Sequence, residues 1–490
     1  MQAHAPTRRR VFGVGLLLAL LPSAAHAHSF GRIYNLPVPF WMYAYGATAA
    51  LLLSFLVFGY FVSAGHAQTD RPPRDVTSRL RPLRRVIPVL QGLSVFVLLL
   101  CIVTGLFGSR DPYRNINMTC FWVLFLLGFS YLSALLGDLY ALLNPLQLIA
   151  RGIGRVWPAY ARGRLRYPAK LAYWPALGFY MMLIWVELFA HTTPALLSKL
   201  LLAWTAISLI GVWLIGRDAW FRYCDFLAVF MRQVARIGVF DYRPATRGEN
   251  VRVLLRAPFS GLLQQRAEHL SLLVFVLFML SSTAFDGLRA TIPWFKLFWA
   301  DQTGLLTPLL GKPPIYAFVQ LRPWYLLYES VWMLLSPFIY LAVYLGFVAL
   351  AKFVTRSRLS LHQLALAFAF SLLPIVLVYN ITHYYTLMFT QGVKIISLLS
   401  DPFGWGWNLF GTAGLLRAPI LPSMSMVWHT QVGLILFGHI VSVYIAHVEA
   451  LRLFPSRARA IASQLPMLIL MMLFTIAGLW ILLQPISPGA

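Results

Sequence analysis

The chain has 490 residues, of which 59% are hydrophobic and only 11% are charged, and its mean hydropathy is +0.72. Soluble domains contain about a quarter charged residues, so this composition excludes an ordinary soluble enzyme and favours a membrane protein. The net charge of +25 would suggest nucleic-acid binding in a soluble protein. Here the loops of a membrane protein account for that charge, and we expect no nucleic-acid partner.

The first 27 residues have the pattern of an export signal. Three arginines at positions 8 to 10 precede a short apolar stretch, and Ala25-His26-Ala27 is a small-residue cleavage sequence. The apolar stretch is too short to span a membrane. We therefore predict a signal peptide at 1–27 and a single helical domain at 28–490; the alternative is an uncleaved first helix.

Ten later apolar stretches are long enough to cross a bilayer as helices. They run from 40 to 63, 86 to 108, 116 to 143, 172 to 190, 196 to 216, 269 to 290, 326 to 353, 360 to 391, 427 to 451 and 462 to 483. The sequence therefore predicts an all-α polytopic membrane protein with about ten transmembrane helices, in contact with membrane lipid.

The basic residues distribute unevenly between alternate loops. Of the 40 Lys and Arg residues, 27 lie in or beside one set of alternate loops and 10 in or beside the other. Basic loops face the cytoplasm, so both ends of the mature chain are predicted to be periplasmic, in a bacterial inner membrane. The longest inner loop, at 217–266, alternates apolar and basic residues and predicts an amphipathic helix on the inner leaflet.

Two of the predicted outer loops are rich in aromatic residues. One lies near 291–325 and the other near 392–426. We interpret both as periplasmic, partly buried lids that admit a lipophilic small molecule from the bilayer. The alternative is an aromatic belt at the membrane interface.

Ionisable residues gather near the predicted outer ends of several helices. Such groups are costly at membrane depth and persist where they pair, line a wet cavity or bind an ion. Glu187 and His191 are four residues apart, so a helix would present them on one face. Imidazole and carboxylate ligands suit a divalent transition metal such as zinc or copper. The predicted ligands are His28, His191, Asp286, His383 and His429.

Three further residues complete the predicted site. Glu187 would orient a ligand or act as a base, and Asn380 or Tyr384 would contact the substrate. Simpler interpretations stay open, since Asp286 can pair with Arg289 three residues on. Glu329 is a reserve candidate at the same depth.

Polar residues nearer the predicted inner face are interpreted mainly as structural. They are Asp138, His439, His447 and Glu449. We expect them to brace helices or to pair with arginines of the inner loops. The alternative is a stepped path for protons or ions. The three cysteines, at positions 101, 120 and 224, are predicted to be free thiols, with a Cys101–Cys120 disulfide as the alternative.

Short motifs spread over the chain resemble those of a bacterial family of polytopic membrane proteins labelled fenitrothion hydrolase. The motifs are His28 to Gly31, Asn35 to Trp41, Gly137 to Pro145, Ser282 to Gly287, and Gln431 to His439 followed by His447. The resemblance implies a membrane-bound hydrolase of organophosphate triesters, with a second subunit as a candidate partner. A bound metal would lower the pKa of a water molecule for this reaction.

A second functional hypothesis is metal transport. In that interpretation the protein handles copper or another metal, and outer histidines pass the ion to His439 and His447. Purified protein would then carry metal without hydrolysing a triester.

Overall fold

The computed structural model describes residues 38–62, 73–80, 85–243, 252–420 and 422–484. The predicted signal peptide and His28 lie outside these ranges. The described chain is a helical, multi-pass membrane protein whose ten main helices are named α1 to α10. They are α1 Phe40–Phe61, α2 Val86–Phe107, α3 Ile116–Leu136, α4 Trp174–Phe189, α5 Pro194–Ile215, α6 Leu270–Arg289, α7 Phe318–Thr355, α8 at 361–390, α9 Met424–Leu453 and α10 Arg457–Leu483.

Nine of these helices, among the residues that the structure describes, are long and apolar enough to cross a membrane. The tenth, α4, is also apolar but has only 16 residues. Each of the ten coincides with a stretch predicted from the sequence. Shorter helices lie at Leu139–Leu143, Pro145–Val156, Pro158–Arg162, Ala169–Leu171, Arg217–Ala219, Trp220–Cys224, Phe226–Ala235, Gly261–Gln264, Ile292–Trp299, Thr307–Leu310, Pro314–Ala317, Gly392–Lys394 and Ile395–Ser400.

Two of the long helices change their winding. α3 is π-helical over Thr119–Phe129. α8 consists of Leu361–Phe368 and Leu373–Thr390, joined by the 3-10 turn Ala369–Leu372. Pro374 follows this turn, and a proline is tolerated in the first turn of a helix because it lacks an N–H.

Contacts between loops support the predicted alternation of the helices. The amide of Ser109 donates to the carbonyl of Phe403 at 2.7 Å, so the loop before α3 and the loop before α9 lie at one end of the bundle. The strand Arg74–Asp75 pairs with Arg252–Leu255, so the loops after α1 and α5 lie at the other end. We call the first the outer end and the second the inner end, after the sequence prediction.

A small antiparallel sheet at the inner end was not predicted. Its strands are β1 Arg74–Asp75, β2 Phe240–Arg243 and β3 Arg252–Leu255, in the order β1-β3-β2. Asp75 lies opposite Leu254, and Phe240 lies opposite Leu255. The strands are too short to show an alternating pattern in the sequence, so the helical prediction missed them.

The prediction that the long inner loop forms a helix on the surface of the inner leaflet is wrong. The helix that forms there, Phe226–Ala235, has seven of its ten residues buried, and it packs into the main core rather than lying on a leaflet. Asp225 begins this helix by accepting hydrogen bonds from the amides of Leu227 and Ala228. Its apolar face packs against other helices of the protein, so this helix does not lie along a leaflet.

The core surrounds α6. Every residue from Ser271 to Thr283 is buried, as expected for a helix that other helices enclose. α1 and α2, in contrast, expose most of their apolar side chains, which suits contact with lipid. The described cysteines are free, as predicted. The central position of α6 fixes the surroundings of Asp286, which lies near its outer end.

Two glycines allow α8, α9 and α10 to approach closely. A Cβ atom on Gly438 of α9 would overlap Val378 of α8, and one on Gly478 of α10 would overlap the phenol of Tyr379. Small residues serve this purpose in membrane helices because they let backbones come together.

We therefore expect Gly438→Val to destabilise the bundle by about 1–3 kcal/mol, the usual cost of overpacking. The control is Gly433→Val on the same helix, because a Cβ atom at Gly433 has no neighbour within 4 Å. Thermal unfolding of the purified protein in detergent should show a lower Tm for the first variant only. Equal Tm values for the two variants would contradict the close approach.

Candidate functional site

Asp286 is the centre of a buried group of polar side chains. Its Oδ2 atom accepts a hydrogen bond from the hydroxyl of Tyr384 at 2.9 Å and lies 2.8 Å from Nε2 of His383, both on α8. Its Oδ1 atom lies 3.5 Å from Nε of Arg289, one turn further along α6. The side chain of Asp286 is only 2% exposed, so these three groups replace water around the carboxylate.

Arg289 connects this carboxylate to two further helices. Its Nη1 atom lies 3.6 Å from Oε2 of Glu329 on α7. Its Nη2 atom donates to the carbonyl of Leu188 at 3.2 Å, and its guanidinium lies 5.2 Å from the ring centre of Phe189. The guanidinium therefore binds α4, α6 and α7 together at the outer end.

Glu187 lies on the last turn of α4. Its carboxylate is within electrostatic range of the phenols of Tyr180 and Tyr384. We define the outer cluster as Glu187, Asp286, Arg289, Glu329, His383 and Tyr384. It contains three carboxylates but one guanidinium and one imidazole, so it repels anions unless protons or cations balance it.

Aromatic side chains from the first predicted lid pack beside the outer cluster. Trp294, on the helix Ile292–Trp299, lies 5.5 Å from the ring of Phe285 and 5.2 Å from that of Tyr328. Trp294 is buried, and so are Phe298 and Trp299 of the same helix. This segment therefore supplies an apolar wall next to the charged residues.

The second predicted lid is organised differently. Phe403 and Trp405 stack with their ring centres 4.3 Å apart, and Trp407 meets both rings. Trp405 and Trp407 are exposed. Asp401 holds this turn by accepting hydrogen bonds from the amides of Trp405 and Gly406. The exposed rings suit the outer interface of a membrane.

The predicted pairing of Glu187 with His191 on one helical face does not occur. α4 ends at Phe189, and Ala190 is extended, so His191 lies beyond the helix and is exposed. The chain turns here because Thr193 caps α5 by accepting a hydrogen bond from the amide of Leu196.

His429 also lies away from the outer cluster. It is exposed on the second turn of α9, and its Nδ1 atom lies 2.8 Å from the carbonyl of Ser425. Asn380 is bound elsewhere too, since its Oδ1 atom accepts a hydrogen bond from Tyr131 of α3 at 3.1 Å. Asn380 lines a separate cavity of about 10 Å³, no larger than a water molecule needs, with Ser130, Phe230, Val234, Met279, Val376 and Leu377.

The arrangement of donors does not fit zinc or copper. Within the described ranges, no group of three or more His, Cys, Asp or Glu side chains could hold a metal ion. Asp286 and His383 are in contact with each other, and Arg289 and Tyr384 contact the same carboxylate. His28 lies outside the described residues. Metal binding therefore stays a sequence-based prediction, and we derive no step from it.

Two residues of the outer cluster were not predicted as site members. Arg289 was considered only as a partner for Asp286, and Glu329 only as a reserve candidate. Both are charged residues within or beside apolar stretches at the predicted depth of Asp286. That depth was the available signal, but the sequence does not show which helices are neighbours.

The described residues form a polytopic helical membrane protein with a buried cluster of charged and polar side chains near one end. Comparisons with protein-family models, with curated proteins and with solved structures find no match. The resemblance to the family labelled fenitrothion hydrolase therefore stays a prediction.

We expect Arg289→Met to destabilise the protein by about 3–5 kcal/mol, because it removes the guanidinium between two buried carboxylates. The matched control is Arg322→Met, since Arg322 is exposed at the outer end of α7. Denaturant or thermal unfolding in detergent measures the difference. If the two variants were equally stable, the buried ion pairs would not hold α4, α6 and α7 together.

Proposed function

We propose that the outer cluster is the active site of a membrane-embedded hydrolase for neutral, lipophilic organophosphate triesters. The observation that carries the proposal is the 2.8 Å contact between Oδ2 of Asp286 and Nε2 of His383 in a buried position. A carboxylate that orients an imidazole is the usual means by which hydrolases form a general base.

The contact assigns the two nitrogens of His383 different tasks. Nε2 carries the hydrogen that is donated to Asp286, so Nδ1 carries the lone pair that accepts a proton. A Cβ atom built on Gly287 would lie 3.8 Å from Nδ1. The same Cβ atom would lie 2.8 Å from Cγ2 of Ile481 on α10, so the absence of a side chain at Gly287 lets α6, α8 and α10 pack closely beside this nitrogen.

The proposed reaction transfers one proton and exchanges one ester bond. Nδ1 of His383 takes a proton from water while the water oxygen bonds to phosphorus. The bond from phosphorus to the aryloxide oxygen breaks, and the proton on His383 passes to that leaving group. Asp286 stabilises the imidazolium that forms in between, and Tyr384 and Arg289 hold the carboxylate in place.

The charge of the outer cluster supports a neutral substrate. Three carboxylates against one guanidinium disfavour an anionic phosphate monoester or diester. The aromatic wall of Phe285, Trp294 and Tyr328 suits an aryl group. A triester that dissolves in the bilayer meets both conditions. We infer that it enters from the outer leaflet of a bacterial inner membrane, at the periplasmic end of the bundle.

We predict that His383→Gln lowers kcat for an aryl dialkyl phosphorothioate with a para-nitrophenyl leaving group by about 10²–10⁴-fold, the usual contribution of a general base. The assay follows nitrophenolate release by the purified protein in lipid nanodiscs. The proposal fails if the unaltered protein releases no nitrophenolate, or if His383→Gln is as active as the unaltered protein.

A conservative pair of variants tests the role of the neighbouring phenol. Tyr384→Phe removes a hydrogen bond to a buried carboxylate and should lower kcat about tenfold or more. Tyr385→Phe is the control, since the hydroxyl of Tyr385 bonds to Thr430 and to the carbonyl of Val427 on α9 and not to the carboxylate of Asp286. Equal losses in the two variants would show that Tyr384 has no specific role.

A further inference from the structure

We propose that a row of buried polar side chains along α9 conducts protons between the outer cluster and the inner end of the bundle. The members on α9 are Gln431, His439, Ser442 and Glu449, all buried. Their spacings of eight, three and seven residues place them on one side of the helix. The row covers 18 residues, about 27 Å of helix, close to the thickness of the hydrocarbon core.

The outer end of the row meets the outer cluster through α8. The side-chain amide of Gln431 donates to the carbonyl of Thr382 at 2.9 Å, and Thr382 directly precedes His383. Tyr379 lies one turn before His383 on the same helix, and its ring centre is 5.9 Å from that of His439. The row therefore begins beside the Asp286–His383 contact.

His439 is the central member of the row, and Nε2 of His439, like Nε2 of the neighbouring His447, is not used in bracing the helices. Its Nδ1 atom is bonded to the carbonyl of Ile435 at 2.8 Å, within its own helix. Its Nε2 atom is buried and has no hydrogen-bond partner among the described residues. A buried polar atom without a partner is rare and calls for an explanation. A nitrogen that binds a transient proton or water molecule supplies one.

The inner half of the row leads to exposed charge. The hydroxyl of Ser442 donates to the carbonyl of Ser371 at 2.5 Å. Oε1 of Glu449 lies 2.7 Å from Nε of Arg266, whose side chain is 53% exposed. His447, beside the row, lies 3.1 Å from Oε1 of Gln464 on α10. Glu449 therefore connects the buried row with the inner solvent.

Conduction follows from the state of the central imidazole. Nδ1 of His439 donates its hydrogen to the carbonyl of Ile435, so Nε2 carries the lone pair. Nε2 takes up a proton from the outer side and releases it toward Ser442 and Glu449, which returns the ring to its starting state. The steps along α9 are about 5–12 Å, so the proposed conduction requires transient water molecules between the polar members.

The test is proton flux into liposomes that contain the full-length protein and a trapped pH-sensitive dye. A potassium gradient with valinomycin supplies an inside-negative potential. We expect the unaltered protein to acidify the lumen faster than protein-free liposomes do. His439→Leu should slow this flux at least tenfold, and Ser442→Ala should slow it several-fold.

Thr104→Val is the matched control, because Thr104 is a fully buried hydroxyl residue on α2 outside the row, bonded within its own helix. If His439→Leu elutes as aggregate, Ser442→Ala and Gln431→Leu take its place. Flux equal to that of protein-free liposomes, or equal flux in the unaltered protein and the folded row variants, overturns the proposal. No triester is present, so this outcome is independent of the proposed hydrolase.

Discussion

The burial of Asp286 is the constraint on which the outer half of the bundle depends. A carboxylate enclosed by apolar helices is costly unless charged or hydrogen-bonding groups surround it. His383 and Tyr384 approach it from α8, and Arg289 approaches it along α6. Arg289 is itself nearly buried and needs Glu329 and the carbonyl of Leu188. Each of these compensating groups comes from a different helix or binds one. The burial of one acidic side chain therefore determines how α4, α6, α7 and α8 meet.

The helices could be predicted from the sequence because apolar length and arginine distribution are local signals. For the site, the sequence predicted only how deep each residue lies in the membrane. Asp286 and His383 were predicted at one level and do touch, whereas His191 and His429 lie at the outer end but are exposed and make no contact with them. Depth follows from position along a helix, but which side of each helix faces a neighbour depends on packing that a single sequence does not display. The end of α4 at Phe189 is similarly set by the turn into α5.

Most polar residues of the inner half make the structural contacts that the sequence predicted. His439 is the exception. Asp138 begins a short helix by accepting the amide of Ala141, and Glu449 pairs with Arg266 of an inner loop. His447 braces α9 against α10 through Gln464. The contacts of Glu449 and His447 are those of bracing residues, and Glu449 combines this with its place in the proposed row. His439 departs from the structural interpretation because Nδ1 bonds within its own helix and the buried Nε2 atom has no hydrogen-bond partner among the described residues.

The loops at the two ends have a consequence for motion. At the outer end, backbone hydrogen bonds tie the α2–α3 loop to the segment before α9, and at the inner end β1 ties the α1–α2 loop to β3. Tilting the first five helices against the last five would have to break the hydrogen bonds between the loops at the outer end. Rigid-body rocking of the kind that many transporters use is therefore disfavoured. A proton or small molecule would then enter the bundle through rotamer changes and small shifts between helices, while the loops at the outer end stay joined.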